Sequence, residues 1–157
     1  MQIPPLAPDL RFPRLQQTAE HFTFSFDVKR AAMERYVRPR WGWHDQYQRA
    51  VHARNFEDKP FFAIEREGRL VGTVSLWKKE GFVRFGEFYL LPAEQGNGLG
   101  SRVLEHCLQA ADRTMLPTRL EYLKWNPVGS LYRRHGFTVT SETDVHCHME
   151  RAAQSPR

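Results

Sequence analysis

The segment that most constrains the fold is a glycine-rich stretch, E-Q-G-N-G-L-G-S, at Glu94–Ser101. A strand-like run ending at Leu91 enters it through Pro92, and an apolar-faced helix is predicted to follow it. Glycine lets the main chain approach a phosphate closely, and the amides and dipole of a helix N-terminus attract anions. The stretch therefore predicts either an anion-binding site suited to a pyrophosphate or a plain turn without a ligand.

Two common phosphate-binding sites are excluded by the residues around the glycines. No Lys-Ser or Lys-Thr pair follows Gly100, as a nucleoside-triphosphate P-loop would require. A dinucleotide-binding βαβ unit needs parallel strands, whereas the three strands predicted before this segment read as an antiparallel meander.

The remaining pattern predicts a mixed order of strands and helices. Alternating polar and aromatic residues predict a first strand over His21–Phe26, with Asp27 as the N-cap of the next helix. Apolar periodicity and turn residues predict helices over Val28–Arg38, where Pro39 would stop the helix, and His44–Arg54, strands over Phe61–Arg66, Leu70–Lys78 and Phe82–Leu91, a helix over Leu99–Arg113, a strand over Thr118–Lys124, a helix over Asn126–Arg134, and a hairpin of Phe137–Glu142 with Val145–Arg151. This order predicts an α/β (α+β) fold with helices flanking a central, mostly antiparallel mixed sheet.

Length and composition indicate one globular domain. The chain has 157 residues, 41% of them hydrophobic, which suffices for one packed core and is too many for a disordered chain. Residues 1–20, with prolines at positions 4, 5, 8 and 13, are predicted to form an irregular leader. Residues 21–157 are predicted to form the single domain.

The composition also sets expectations about partners and location. No apolar stretch reaches the roughly 18 residues of a membrane-spanning helix, and no signal-peptide pattern opens the chain. The two cysteines fit a reducing compartment, so we expect a cytoplasmic protein without membrane contact. The net charge of +5 favours anionic partners, but no basic-aromatic recognition motif appears, and we expect no nucleic acid. His146 and His148 share a strand face from which Cys147 points away, so no metal is expected.

Several motifs together resemble the GNAT superfamily of acyl-CoA N-acyltransferases. Q-G-N-G-L-G from Gln95 is similar to the family's Q/R-x-x-G-x-G/A motif, and F-Y-L-L-P ending at Pro92 to its splayed strand. W-N-P and L-Y-R-R-H-G-F, which ends at Phe137, resemble its Asn-bearing strand end and its L-Y-x-x-x-G-F helix. The order of elements over residues 21–151 also matches. W-G-W-H-D from Trp41 resembles a W-G-W-D-E stretch of some bacterial members with unassigned substrates.

The resemblance implies an N-acetyltransferase with acetyl-CoA as its cosubstrate. In the family, a primary amine of a small molecule or protein attacks the thioester directly. The cofactor-binding residues it implies are the main chain of Phe88, Tyr89 and Leu90, the loop residues Gln95, Gly96, Asn97, Gly98, Leu99, Gly100 and Ser101, and Asn126. For Asn126 the alternative is that it caps the following helix. A non-catalytic acyl-CoA-binding sensor or interaction module is the alternative function.

The same resemblance implies the catalytic groups. Tyr132 matches the family's tyrosine that protonates or hydrogen-bonds the CoA sulfur, and the Leu90 amide is the oxyanion donor. Glu87 is the candidate base, because its strand borders the thioester in the family. Period two places Glu87 and Tyr89 on one strand face. The alternative is a solvated or salt-bridged Glu87, with ordered water as the base.

The acceptor side is the least defined. Trp41, Trp43 and Asp45 lie in the segment that lines the acceptor in the family, where aromatics could grip a substrate and a carboxylate could attract an amine. The alternative is that both tryptophans pack in the core and Asp45 caps a helix. The expected partner is thus a small-molecule or peptide amine, and a homodimer is left open.

Overall fold

The computed structural model describes residues 1–155, so the last two residues of the predicted domain lie outside it. In chain order the elements are β1 (Leu10–Arg11), α1 (Ala19–Trp41), α2 (Asp45–Asp58), β2 (Phe61–Arg66), β3 (Arg69–Lys79), β4 (Phe82–Leu90), α3 (Leu99–Asp112), β5 (Thr118–Leu123), α4 (Gly129–Arg134), β6 (Thr138–Glu142) and β7 (His146–Arg151).

The strands form one seven-stranded sheet in the order β1-β2-β3-β4-β5-β7-β6. The β1–β2, β2–β3, β5–β7 and β6–β7 pairs are antiparallel, whereas β4 and β5 pair in parallel. A mixed and mostly antiparallel sheet flanked by helices confirms the predicted fold class.

The chain divides into two compact units. The first unit holds Pro4–Ser75 and Glu87–Asn97, and contains the β1–β2 and β2–β3 pairings. The second unit holds Met1–Ile3, Leu76–Gly86 and the chain from Gly98 onward, with the β4–β5, β5–β7 and β6–β7 pairings.

Helix α1 is the largest difference from the sequence prediction. His21–Phe26, predicted as a strand, lies inside this helix, and that prediction was wrong. The alternation of aromatic residues was misleading because Phe22 and Phe26 are also four residues apart, which places them on one helical face. Their rings stack with centroids 6.3 Å apart, and Phe26 is fully buried.

Both ends of α1 also differ from the prediction. Thr18 is the N-cap and accepts a hydrogen bond from a first-turn amide at 3.2 Å, so Asp27 lies within the helix and caps nothing. Pro39 lies in the last turn and does not end the helix, which continues to Trp41. Gly42, with a left-handed φ of +73°, ends the helix and donates to the Arg38 carbonyl at 2.8 Å.

The predicted leader is partly regular. Leu10–Arg11 form β1, which pairs with the end of β2, and α1 begins within the same twenty residues. Leu15 is buried with Phe56 and Phe61. Apolar side chains from this segment therefore belong to the core of the first unit, although its prolines predicted an irregular path.

The other elements lie close to their predicted positions. Helix α3 has the predicted apolar face, whose buried residues include Leu99, Val103, Leu104, Cys107, Leu108 and Ala111. Gly136, two residues after α4, has a left-handed φ of +94°, and α4 begins at Gly129 rather than Asn126. Among the helices of residues 1–155, none is long and apolar enough to cross a membrane.

Candidate active site

The glycine loop, which we define as Gln95–Ser101, runs from a short 3-10 turn into α3. Gly96 and Gly98 have left-handed φ values of +82° and +84°, and Gly98 is the N-cap of α3. Gly98 has no side chain, so no N-cap side chain accepts a hydrogen bond from the first turn of α3. A Cβ at Gly96 or Gly98 would have no atom of a described residue within 4 Å. This backbone can therefore admit an anion close to the helix N-terminus.

Side chains of the first unit anchor the start of the loop. Gln95 donates from Nε2 to the Leu90 carbonyl at 2.9 Å, and its Oε1 accepts from Arg35 at 3.2 Å. Glu94, directly before it, forms an ion pair with Arg66 at 3.4 Å. The Leu90 carbonyl, part of the main chain predicted to bind the cofactor, is thus already hydrogen-bonded within the protein.

The first turn of α3 is tied to α4 by a histidine that sequence reasoning missed. His135 Nδ1 lies 2.9 Å from the Leu131 carbonyl, which can only accept, so this nitrogen carries the proton. Nε2 then accepts from the Ser101 hydroxyl at 3.1 Å. His135 is four residues after Leu131, a spacing that favours a side-chain contact with the preceding turn.

Tyr132 is buried among aromatic rings of the second unit. Its ring centroid lies 6.2 Å from that of Phe85, 5.7 Å from that of Tyr122 and 5.8 Å from that of Phe137. Burial, and to a smaller degree the neighbouring Tyr122, raises the pKa of the Tyr132 phenol above its usual value. The phenol therefore stays protonated across neutral pH and can donate a hydrogen bond or a proton.

Tyr122, on β5, is a neighbour of Tyr132 that the sequence did not identify. Burial and a hydrogen bond with Cys147 raise the pKa of Tyr122 to about 12. A Cβ at Gly129 would collide with the Tyr122 hydroxyl, so only glycine fits where α4 begins. An aromatic strand residue looks the same in sequence whether it packs in a core or borders a site, so no sequence signal marked it.

Asn126 lies at the start of the α4 turn. Its Oδ1 accepts from the Val128 amide at 3.0 Å. This contact favours the capping alternative for that oxygen. Contact between Asn126 and a pantetheine arm stays a prediction.

The backbone of β4 changes direction at Glu87. Glu87 has a left-handed φ of +47°, rare for a residue with a side chain. Thr73 supports the conformation by donating to the Glu87 carbonyl at 2.8 Å. Burial alternates along Phe82–Phe85, but Gly86–Tyr89 are all half-buried. The period-two rule behind the predicted faces of Glu87 and Tyr89 therefore does not hold past this point.

Gly72 is a second position that the sequence did not single out. A Cβ there would collide with the Tyr89 carbonyl and lie 2.9 Å from Leu90. Only a residue without a side chain allows this close approach of β4 to β3. The absence of a side chain at Gly72 therefore allows the end of β4, which precedes the glycine loop, to lie close to β3.

Glu87 belongs to a set of four side chains that we call the charged cluster: Lys29, His52, Lys59 and Glu87. The Glu87 side chain is only 6% exposed, and its Oε1 accepts from Lys59 Nζ at 2.9 Å. Its Oε2 is buried and has no hydrogen-bond partner among residues 1–155. The salt-bridge alternative therefore holds for one oxygen, and the other oxygen can still accept a proton.

His52 is the neutral member of the charged cluster. Ser25 donates to the Phe22 carbonyl at 2.9 Å, so the proton between Ser25 and His52, 2.7 Å apart, comes from His52 Nε2. The lone pair of His52 Nδ1 is buried without a partner in the described part of the chain. Burial, followed by Lys29, lowers the pKa of His52 to about 4, so the ring is uncharged at neutral pH.

Two of the residues predicted to bind the acceptor, Trp43 and Asp45, are hydrogen-bonded to each other. Asp45 accepts from Arg49 at 2.6 Å and from the Trp43 indole at 3.2 Å, and the first of these bonds does most to lower the pKa of Asp45. Trp43 packs against Phe26, with ring centroids 6.3 Å apart, while Trp41 is 45% exposed. The packing expected in the structural alternative thus holds for Trp43 alone, and Asp45 is the first residue of α2 while His44 is its N-cap. An acceptor role for these residues stays a prediction.

His146 and His148 are neighbouring side chains on β7. Within residues 1–155, no group of three or more His, Cys, Asp or Glu side chains is arranged to hold a metal ion. The rings of His146 and His148 are 6.4 Å apart, and His148 lies 3.4 Å from Glu121. Cys107 and Cys147 are buried free thiols.

Comparison with known proteins identifies the family. The model of the acetyltransferase (GNAT) family matches residues 25–137, and the chain belongs to this family. It is 36% identical to the mycothiol acetyltransferase of Streptomyces griseus over 96 residues, which are 57% of this chain and 30% of that protein. The mycothiol acetyltransferase of Streptomyces coelicolor matches at the same identity and coverage. The chain thus spans less than a third of these curated relatives.

Solved structures support the GNAT fold. The paia N-acetyltransferase of Thermoplasma acidophilum, in complex with coenzyme A, has a TM-score of 0.72 at 17% identity and covers 91% of this chain and 98% of its own. The ribosomal-protein-S18-alanine N-acetyltransferase of Escherichia coli has a TM-score of 0.68 at 15% identity, with coverages of 94% and 96%. The predicted GNAT-like architecture is therefore confirmed.

Proposed function

We propose that the chain transfers an acetyl group from acetyl-CoA to a primary amine by direct attack of the amine on the thioester. The family supports an acetyltransferase, and a related structure was solved with coenzyme A. The amine could belong to a small molecule or to a protein.

The observation that carries the proposal is the glycine loop. Support comes from its two left-handed glycines, whose Cβ positions have no neighbour within 4 Å, and from a helix N-terminus without a side-chain cap, a combination suited to binding an anion. The pyrophosphate of acetyl-CoA has the charge that the main-chain amides of such a site bind. Gln95 contributes by fixing the loop to β4 through Leu90.

Each chemical role falls to a separate group. Acetyl-CoA supplies the thioester, whose carbonyl carbon the amine nitrogen attacks as the carbon–sulfur bond breaks. Glu87 Oε2, directly or through a water molecule, takes the proton that the amine loses. The Leu90 amide serves as the donor for the developing oxyanion. Tyr132, protonated at neutral pH, gives its proton to the departing CoA thiolate and regains one from solvent.

The proposal is tested with the purified chain in two steps. Calorimetric titration with acetyl-CoA should show binding, and release of free CoA thiol should accompany acetylation of an amine from a panel of amino acids, polyamines, aminoglycosides and peptides. Binding with no turnover across the panel would support the non-catalytic acyl-CoA module instead. No binding at high micromolar acetyl-CoA would contradict both functions.

A further inference from the structure

The charged cluster contains two lysines and one carboxylate. Lys29 and Lys59 are its cations and Glu87 its one anion, because His52 is neutral. Glu87 gives one oxygen to Lys59 at 2.9 Å. A partly buried charge without a partner is costly, so an unpaired ammonium in this cluster is a candidate site for a ligand of opposite charge.

Lys29 is the cation without a partner. It lies one helical turn after Ser25 on α1 and is half-buried, and its ammonium has no hydrogen bond or ion pair among residues 1–155. Burial lowers the pKa of Lys29, while the charge of Glu87 acts in the opposite direction and less strongly. A further anion beside this ammonium would offset the cost of its burial.

The unpaired atoms of the cluster differ in what they require. Glu87 Oε2 is an acceptor that needs a donor, and Lys29 is a donor that needs an acceptor or an anion. His52 Nδ1 is a second buried acceptor. A neutral or purely cationic amine can satisfy Glu87 but leaves Lys29 unpaired, whereas a zwitterion can satisfy both.

We infer that the acceptor is a primary amine that also carries a carboxylate, with its amine directed to Glu87 Oε2 and its carboxylate bound by Lys29. This inference rests on the proposed acetyl transfer and names its substrate class. Lys29 is then a specificity-determining residue, and it takes no part in the bond-making step.

The test compares amino acids with amines that lack only the carboxylate. Suitable pairs are glycine and methylamine, L-serine and ethanolamine, and L-phenylalanine and phenylethylamine, each assayed by CoA release. The amino acid of at least one pair should have the higher kcat/KM. In Lys29→Met its KM should rise about 10- to 100-fold, the value of one hydrogen bond between charged groups, with kcat little changed.

Matched variants separate substrate binding from structural effects. Lys29→Arg should restore most of the amino-acid KM, while Lys79→Met, at an exposed lysine of β3, should leave it unchanged. Lys29→Met should not alter the kinetics of the matched amine. An equal loss of kcat for both members of a pair would mean that Lys29 acts through Glu87, and would overturn the inference.

The failures of the two proposals are distinguishable. Acetylation of the amines as efficiently as the amino acids would refute the inference and leave the proposed function standing. No acetylation of any amine or amino acid, with acetyl-CoA binding intact, would refute the proposed function and this inference with it.

Discussion

The glycine loop and the charged cluster represent two different ways of building a site. The loop uses main-chain amides over seven consecutive residues, and its glycines keep the space beside them open. The charged cluster uses side chains from α1, α2, the segment after α2 and β4, which are far apart in sequence; the His52 and Glu87 side chains are buried and the two lysines are half-buried. A site made of local backbone tolerates changes in most side chains, whereas a buried set of charges is sensitive to each one.

Substitution of Glu87 should give the largest effect, and it tests the role assigned to the charged cluster. Glu87→Gln keeps an oxygen for Lys59 but cannot take a proton, so kcat/KM should fall about 100- to 10,000-fold. The measurement is steady-state CoA release against pH, with acetyl-CoA affinity checked by calorimetry. Glu80→Gln, in the exposed turn before β4, is the control. Unchanged turnover in Glu87→Gln would assign the base role elsewhere.

A negative charge introduced into the glycine loop tests the role assigned to the loop. Gly98→Glu introduces an anion where the pyrophosphate is proposed to bind, and should weaken acetyl-CoA binding about 100-fold or more. Gly81→Glu is a matched control, since Gly81 has the same φ of +84° and an equally open Cβ position. Equal effects of the two variants on affinity would mean that only backbone strain had been measured.

His52 links the charged cluster to the pH dependence of folding stability. Its folded pKa of about 4 lies below the usual 6.5, so the unfolded chain binds a proton between these values and the folded chain does not. The contribution of His52 to the free energy of unfolding is therefore fully present above pH 6.5. As the pH decreases from 7 to 5, the free energy of unfolding falls by about 2 kcal/mol.

Denaturant unfolding at several pH values measures this difference. His52→Gln should remove this part of the pH dependence, while the exposed control His44→Gln should retain it. An unchanged pH slope in His52→Gln would show that the buried histidine is not the group responsible.

Tyr132 should give the smallest effect on rate. Tyr132→Phe keeps the aromatic packing with Phe85 and Phe137 but removes the proton donor, so kcat should fall roughly 10-fold with acetyl-CoA affinity retained. Tyr47→Phe, at a tyrosine that is 65% exposed, is the control. Turnover equal to wild type across the pH range would remove Tyr132 from the proposed chemistry.

The same contrast explains what could be predicted from sequence. The loop, α3 and the three strands before them are each specified by neighbouring residues, so periodicity and glycine spacing located them. The strand predicted at His21–Phe26 was wrong because an aromatic pair spaced by four fits both periods, and Thr18, outside the predicted element, decides the helix start. The left-handed φ of Glu87 could not be predicted, because its support comes from Thr73 in another strand.

The charged cluster could be predicted only for Glu87. Lys29 and His52 lie on helices whose sequences give no sign that these polar residues face inward. Burial lowers both pKa values, and the nearby charges of Glu87 and Lys59 come from β4 and from the segment after α2, so these shifts exist only in the folded chain. His135 and Tyr122 were missed for the same reason, since a contact across elements leaves no local pattern.

The most direct test of the central claim is one calorimetric titration of acetyl-CoA into two variants side by side, Gly98→Glu and Glu87→Gln. If the loop binds acetyl-CoA and the cluster acts on the acceptor, Gly98→Glu should lose binding, while Glu87→Gln should bind like wild type and fail to release CoA with an amine. Wild-type affinity in Gly98→Glu, or loss of acetyl-CoA binding in Glu87→Gln alone, would contradict the assignment of these two roles.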